Sequence, residues 1–360
     1  MRKKKRTSQT AEDSSALKPT RLDIRAVAKH ANVSIATVSR VTNYVPTVAP
    51  HLAEKVWQVV KELNYSPNAQ ARALVSGRSR VFGVLISEIT NPFFPELIQG
   101  FEEVAVELGY ELLIGSTNYN LDHMKRCVQR MLDRKVDGVA VMTFGIEGPL
   151  LDHLAAHDIP LVFIDVAPKT GRVCAIQVDY GSGIRQAVQH LATLGHRDIA
   201  FITGPLQLSS AQARRSAFLS ATKEIGVNIP SSYLGEGNHT LEGGISQAQR
   251  LLRLKRPPTA IMCSNDMTAM GVVHAAAHLG LRIPTNLSVI GFDDIDIARY
   301  CVPPLSTVRM SRRKLARAAF MALKSLADGT PKEDIVVSAI QTELVVREST
   351  ASPSALRQAG

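Results

Sequence analysis

From Val81 onward the sequence alternates short apolar runs with amphipathic stretches of helix length, and this rhythm limits the fold more than any other feature. The runs are 81–86, 111–114, 138–142, 161–164, 175–178, 199–203, 260–263 and 289–292. Their length and β-branched content suit strands buried on both faces. Helix-length segments lie between many of them, at 95–108, 122–134, 181–194, 210–225, 241–254 and 267–279. Strand and helix in alternation predict parallel sheets with helices on both faces. Gly109, Gly195, Gly226 and Gly280 follow helical segments, where a left-handed terminating residue is expected. Residues 81–349 are many for one open sheet, which predicts two lobes.

The first 80 residues follow a different pattern. Ile24, Val27, Ala28 and Ala31 share one helical face, with Asp23 placed as N-cap. Asn32-Val33 breaks the run, and Ser34 can cap a second helix from Ile35 to about Asn43. Pro46 and Pro50 bracket a loop, and Leu52, Val56, Val59, Val60 and Leu63 mark a third helix. This is a helix-turn-helix pattern. Its second helix keeps Val38 and Val41 inward and offers Thr37, Ser39 and Arg40 to a groove. Hydroxyls near a helix start, here Ser34 and Thr37, suit phosphate contact, and Arg40 suits a guanine edge or a phosphate.

Charge supports this division. Residues 1–80 hold 15 Lys+Arg against 5 Asp+Glu, whereas residues 81–360 hold 27 of each. All of the net charge of +10 therefore sits at the N-terminal end, which points to a polyanionic partner there. The expected organisation is a disordered basic arm at 1–20, a helix-turn-helix domain at 21–66 and a helix-compatible segment with linker at 67–80. A two-lobed domain at 81–349 and a disordered tail at 350–360 follow.

Open α/β sheets bind ligands beyond the carboxyl ends of their strands. Those ends here lead to Asn91, Phe93 and Phe94, to Phe144, to Asp165 and Asp179, to Arg214 beyond a loop, to Asn265, and to Asp293. Carboxylates, an amide and an arginine suit vicinal hydroxyls, and aromatic rings offer stacking faces. Any single Asp at a strand end is as often an N-cap, and Phe93 and Phe94 also suit a core.

Together these stretches resemble the LacI/GalR family of bacterial transcription regulators. In residues 22–77 the likeness is carried by Val27-Ala28, by Val33-Ser34-Ile35-Ala36-Thr37-Val38-Ser39-Arg40-Val41, Asn43, Leu63-Asn64-Tyr65, Pro67-Asn68, Ala71 and Leu74. Ala26 departs from the family's usual Asp. In residues 81–347 it is carried by Asn91-Pro92-Phe93-Phe94, Val136-Asp137-Gly138, Leu194-Gly195-His196-Arg197, Asn265-Asp266-Met267-Thr268-Ala269-Met270-Gly271 and Val289-Ile290-Gly291-Phe292-Asp293-Asp294. Ala217-Phe218 replaces the family's Gly-aromatic pair.

The resemblance implies a periplasmic-binding-protein-like pair of lobes and a dimer that represses transcription from a palindromic operator. It places Ile35, Ala36 and Arg40 at base-reading positions. It makes 67–74 a hinge helix, with Asn68 and Ala71 at the DNA and Leu74 as a minor-groove wedge. Arg214, Asn265 and Asp293 fall on its recurrent effector contacts, with Asp165 a fourth. The expected effector is a sugar or sugar acid, with purines and nucleosides as the alternative. The tail lacks apolar heptads, so a homodimer without a tetramerising zipper is expected.

Other classes find less support. No apolar run reaches the roughly 18 residues of a membrane span, and no apolar leader follows the first Met, so a cytoplasmic, nucleoid-associated protein is expected. A solute-binding protein would not need the basic headpiece. No Gly-x-Gly-x-x-Gly, P-loop or Gly-x-Ser-x-Gly occurs, so no enzyme is expected. Cys127, Cys174, Cys263 and Cys301 lack metal-ligand spacing, and neither metal nor cofactor is expected.

Overall fold

The computed structural model describes residues 23–42, 47–65, 77–142, 157–165 and 172–353. Two compact units divide the chain, Met1–Ser79 and Arg80–Gly360.

The first unit holds α1 (Ile24–Ala31), α2 (Ile35–Thr42) and α3 (Pro50–Glu62). Asp23 caps α1, its Oδ1 accepting from Ala26 N at 3.0 Å. Asn32 ends that helix with φ of 50°, a left-handed conformation that asparagine tolerates better than most residues. Two residues later Ser34 Oγ accepts from Thr37 N at 3.0 Å and starts α2. These two local devices make the tight turn. Val27, Ala28, Ala31, Val38 and Val41 then pack on Val56, Val59 and Val60. Pro50, expected to close the loop before the third helix, is the first residue of α3. Its fixed φ suits that position, where a helix needs no N–H donor. Residues 1–22, Asn43, and the segment 66–76 with Asn68, Ala71 and Leu74 lie outside the described residues, and so does Phe144.

In the second unit, β1 (Val81–Ile86), β2 (Glu111–Ser116), β3 (Gly138–Met142), β4 (Leu161–Ile164) and β5 (Val173–Ile176) form a parallel sheet of order β2-β1-β3-β4-β5. The strand period of two sorts its side chains. Phe82, Val84, Ile86, Ala140 and Met142 face one core, covered by α4 (Phe93–Leu108) and α10 (Arg312–Ala327). Leu85, Val139 and Val141 face another, which includes Met124, Cys127, Val128 and Met131 of α5 (Leu121–Asp133).

The second sheet has the order β6-β12-β11-β10-β9-β7-β8. Its strands are β6 (Val178–Asp179), β7 (Ile199–Thr203), β8 (Leu234–Glu236), β9 (Ala260–Cys263), β10 (Ser288–Asp293), β11 (Ser306–Met310) and β12 (Ile340–Val345). With it pack α6 (Tyr180–Thr193), α7 (Ser209–Glu224), α8 (Leu241–Leu252) and α9 (Asp266–His278). All pairings are parallel except β11 with β12. The run 175–178, expected as one strand, splits at Gln177 into β5 and β6, which belong to different sheets. The chain thus passes between the lobes at Gln177, at Ser311, and again between α10 and β12.

Packing continues past the expected boundary at 349. Val289 N donates to Ser349 O at 2.9 Å, and Ser349 Oγ donates to Val289 O at 2.6 Å. Ala351 N donates to Ser288 Oγ at 3.1 Å. His196, a motif residue, joins this seam through Thr259 Oγ1 at 2.8 Å, Ser288 Oγ at 3.0 Å and Ala351 O at 2.8 Å.

Candidate functional site

The residues with the most unusual environment in the second unit surround Arg214. The α7 helix carries it inward, 4% exposed. Its guanidinium carbon lies 4.1 Å from the ring centre of Phe292 and 5.0 Å from that of Tyr180, a cation held over two aromatic faces. Nη1 donates to Ser264 O at 2.5 Å, and Nη2 stands 3.7 Å from Asp293 Oδ1. Nε has no partner among the described residues, nor has Ser210 Oγ one turn earlier on α7. A buried donor left unpaired costs about 1–3 kcal/mol, so a ligand that accepts from it here gains against little competition.

Asp293 ends β10 with φ of 112°. Burial pushes its carboxyl up to about 6, and Arg214 and Arg312 pull it down against that. Asp266, behind it on α9, is raised well above the usual carboxylate range by burial and by Asp293. It accepts from Thr307 Oγ1 at 2.5 Å and Ile295 N at 2.9 Å. On the other lobe Asp165 follows β4. Its Oδ2 accepts from Tyr180 at 2.7 Å and its Oδ1 from Val178 N at 3.1 Å; burial raises its pKa, with the Tyr180 bond opposing. Tyr180 therefore links Asp165 of one lobe to Arg214 of the other.

Asn265 caps α9, accepting from Thr268 N at 2.9 Å, and donates Nδ2 to His239 O at 2.9 Å. The His239 ring meets Ser264 Oγ at 2.8 Å. Burial and then the Arg214 charge push that imidazole down to about 3, so it is neutral. It lies directly on Gly204, where any Cβ would collide with the ring.

Of the sequence-predicted residues, then, Asp165, Arg214 and Asp293 come together, and Asn265 joins them through Ser264 and His239. Asn91 Oδ1 accepts from Phe93 N at 3.1 Å. Phe93 and Phe94 meet edge to face at 5.2 Å and belong to the buried core. Asp179 is the N-cap of α6. Tyr180, His239, Ser264 and Phe292 were not singled out from the sequence. Each lies far along the chain from Arg214; Tyr180 beside Asp179, Ser264 beside Asn265 and Phe292 beside Asp293 carried a local hint, and His239 carried none.

In the first unit the start of α2 is open to solvent. Ile35 is 47% exposed, an unusual place for a large aliphatic side chain. Ser34, Ala36 and Arg40 are exposed beside it, and Thr37 and Ser39 are half-buried. Ser34 Oγ also contacts Thr37 Oγ1 at 2.9 Å, so the two hydroxyls hold each other in place.

Comparison with known proteins agrees with this two-part construction. Residues 23–68 match the model of bacterial regulatory proteins of the lacI family, and residues 188–350 match a periplasmic binding protein-like domain. The chain is 35% identical over 327 residues to the HTH-type transcriptional repressor PurR of Photobacterium profundum, covering 91% of this chain and 98% of that one. PurR of Proteus mirabilis is also 35% identical, over 91% of this chain and 96% of its own length. Among solved structures, the lac repressor dimer bound to operator and the anti-inducer ONPF is similar with a TM-score of 0.80 and 28% identity, over 92% of this chain and all of that one. The complex of the transcriptional regulator CelR with cellobiose gives 0.69 and 26%, over 91% of this chain and 100% of that one. The identity and coverage, with a helix-turn-helix unit followed by two α/β lobes, show that this chain belongs to the lacI family of bacterial regulatory proteins.

Proposed function

We propose that the chain represses transcription by binding a palindromic operator as a homodimer, and that a small molecule held between the two lobes sets its affinity for DNA. The carrying observation is one chain that joins the exposed face of α2 to a lobed domain with a buried arginine whose Nε has no partner among the described residues. Ser34, Ile35, Ala36, Thr37, Ser39 and Arg40 meet the DNA in this reading, with Asn43, Asn68, Ala71 and Leu74 beside them. The effector contacts are Arg214, Asp293, Asp165 and Asn265, with Asn91, Phe93, Phe94 and Phe144 as further lining. Ligand binding acts by favouring one of two lobe arrangements, and no catalytic step is proposed.

A sugar or sugar acid suits carboxylates that accept from hydroxyls and an Nε that donates to one; the similar regulator CelR was solved with cellobiose. A purine or nucleoside is the second reading. It is favoured by the flat faces of Tyr180 and Phe292 at Arg214 and by relatives that are repressors named PurR.

Selection of genomic DNA fragments by the purified chain at near-physiological salt tests the proposal. One recovered palindrome with the tightness of specific binding, released or strengthened by a member of a sugar and purine panel, is the expected result. Unselective binding that disappears with salt, and no response to the panel, would overturn it.

A further inference from the structure

The corner after β10 is tied to both lobes. Asp293 and Asp294 both have left-handed backbone, with φ of 112° and 58°, and Asp296 begins a short 3-10 turn. The second lobe fixes this corner. The buried Asp294 carboxylate takes Arg309 Nε at 2.7 Å and also Arg347, and Ile295 N is bound to Asp266. The corner therefore travels with the second lobe.

Two side chains of the first lobe grip it. Arg312 is the first residue of α10, immediately after the crossing at Ser311. Its Nη1 donates to Asp293 O at 2.5 Å and its Nη2 to Asp294 O at 2.8 Å. Its Nε meets Glu96 Oε2 at 2.6 Å, with the two side chains 13% and 23% exposed. The other oxygen of Glu96, on the first turn of α4, accepts from Asp296 N at 2.9 Å. One guanidinium and one carboxylate thus hold three backbone groups of the opposite lobe.

We propose that Glu96 and Arg312 form an interlobe clasp that positions Asp293 against Arg214, so that lobe angle and site geometry change together. Arg312 holds the backbone of the same residue whose carboxylate faces Arg214. Its planar fork has directional demands that a lysine cannot meet. A rotation of the lobes must break the bonds to Asp293, Asp294 and Asp296 in concert, because one ion pair serves all three. Little exposure keeps that pair from being screened by salt. The clasp stands on these contacts alone; its regulatory meaning rests on the proposed effector site.

Interlobe distance in the ligand-free, full-length protein tests it. Nitroxide labels on Arg126→Cys of α5 and Ser246→Cys of α8, both exposed, report one lobe each by pulsed electron resonance. Cys301→Ser removes the one partly exposed thiol, since Cys127, Cys174 and Cys263 are buried. With labelled chains diluted in excess unlabelled protein, so that a dimer carries one labelled pair, the expected result is one narrow distance for the parent, and for Arg312→Gln a displaced or second population. Arg312→Lys should give a partial return toward the parent. Glu96→Gln keeps an acceptor for Asp296 N but loses the ion pair, and should fall between parent and Arg312→Gln. A merely stabilising role would lower the unfolding midpoint and leave the distance unchanged. Parental distance distributions in both Arg312→Gln and Glu96→Gln would overturn the clasp. If Arg312→Gln does not fold, Glu96→Gln alone decides. Absence of an operator or effector would end the proposed function without moving this readout.

Discussion

Asp293 has a carboxylate removed from water and two arginines that only partly compensate. Its folded-state pKa of about 6 lies above the ordinary 3.8, so the native state binds the extra proton between those values. Its contribution to stability is therefore full below about pH 4 and is lost as pH rises through 6, a loss of about 3 kcal/mol. Urea unfolding of Asp293→Asn should show that variant gaining on the parent across this window, and a pH-independent difference would contradict the assignment. His239 has the opposite sign. With its pKa pushed down to about 3 from 6.5, its contribution is present above 6.5 and is lost as pH falls. In the headpiece, Arg40→Ala should weaken operator binding about 10-fold or more, the scale of a lost base or phosphate contact. An unchanged affinity in a fluorescence-anisotropy titration would remove Arg40 from the interface. Asp165, Arg214, Asn265 and Asp293 were legible because they end apolar runs or match family motifs. Glu96, Tyr180, His239 and Arg312 were not, because only folding brings them together from distant parts of the chain.

At the scale of elements, what the sequence shows best is burial. The strands β1, β3, β4, β7 and β9 are runs whose every residue, or all but one, is buried. The strand β12 alternates Ile340 and Thr342 inward with Gln341 and Glu343 outward, and β8 has three residues, so neither makes an apolar run. The opening Arg312-Arg313-Lys314 of α10 likewise hides the start of a helix that supplies buried Leu315, Phe320 and Leu323. Helix contacts made by glycine are equally hard to read. A Cβ on Gly271 of α9 would meet Leu241 O and Ile245 N of α8, and one on Gly244 would meet Thr268 O. The two helices therefore touch backbone to backbone. Gly271→Ala should lower stability by about 1–3 kcal/mol, the usual cost of overpacking, read as a fall in the urea midpoint with native circular dichroism retained. A midpoint equal to the parent's would show that α8 can move away freely.

At the scale of the molecule, the C-terminal segment binds the second lobe shut along β10. Ser349 exchanges hydrogen bonds with Val289 and accepts from Ser306 N at 2.8 Å. Truncation after Arg347 should leave these groups unpaired and lower the melting temperature by several degrees. A chain ending at Pro353 should melt as the parent does to within a degree, and equal melting of both truncations would contradict the seam. The three crossings between lobes have a further consequence, for the order in which the chain is made. The first lobe lacks α10 until residue 327 has left the ribosome, and the second lobe lacks β12 until 345. The helices of the headpiece, complete by Glu62, emerge long before. At about 5–20 residues per second, every newborn chain spends tens of seconds with its DNA-reading helices finished and its regulatory lobes unfinished.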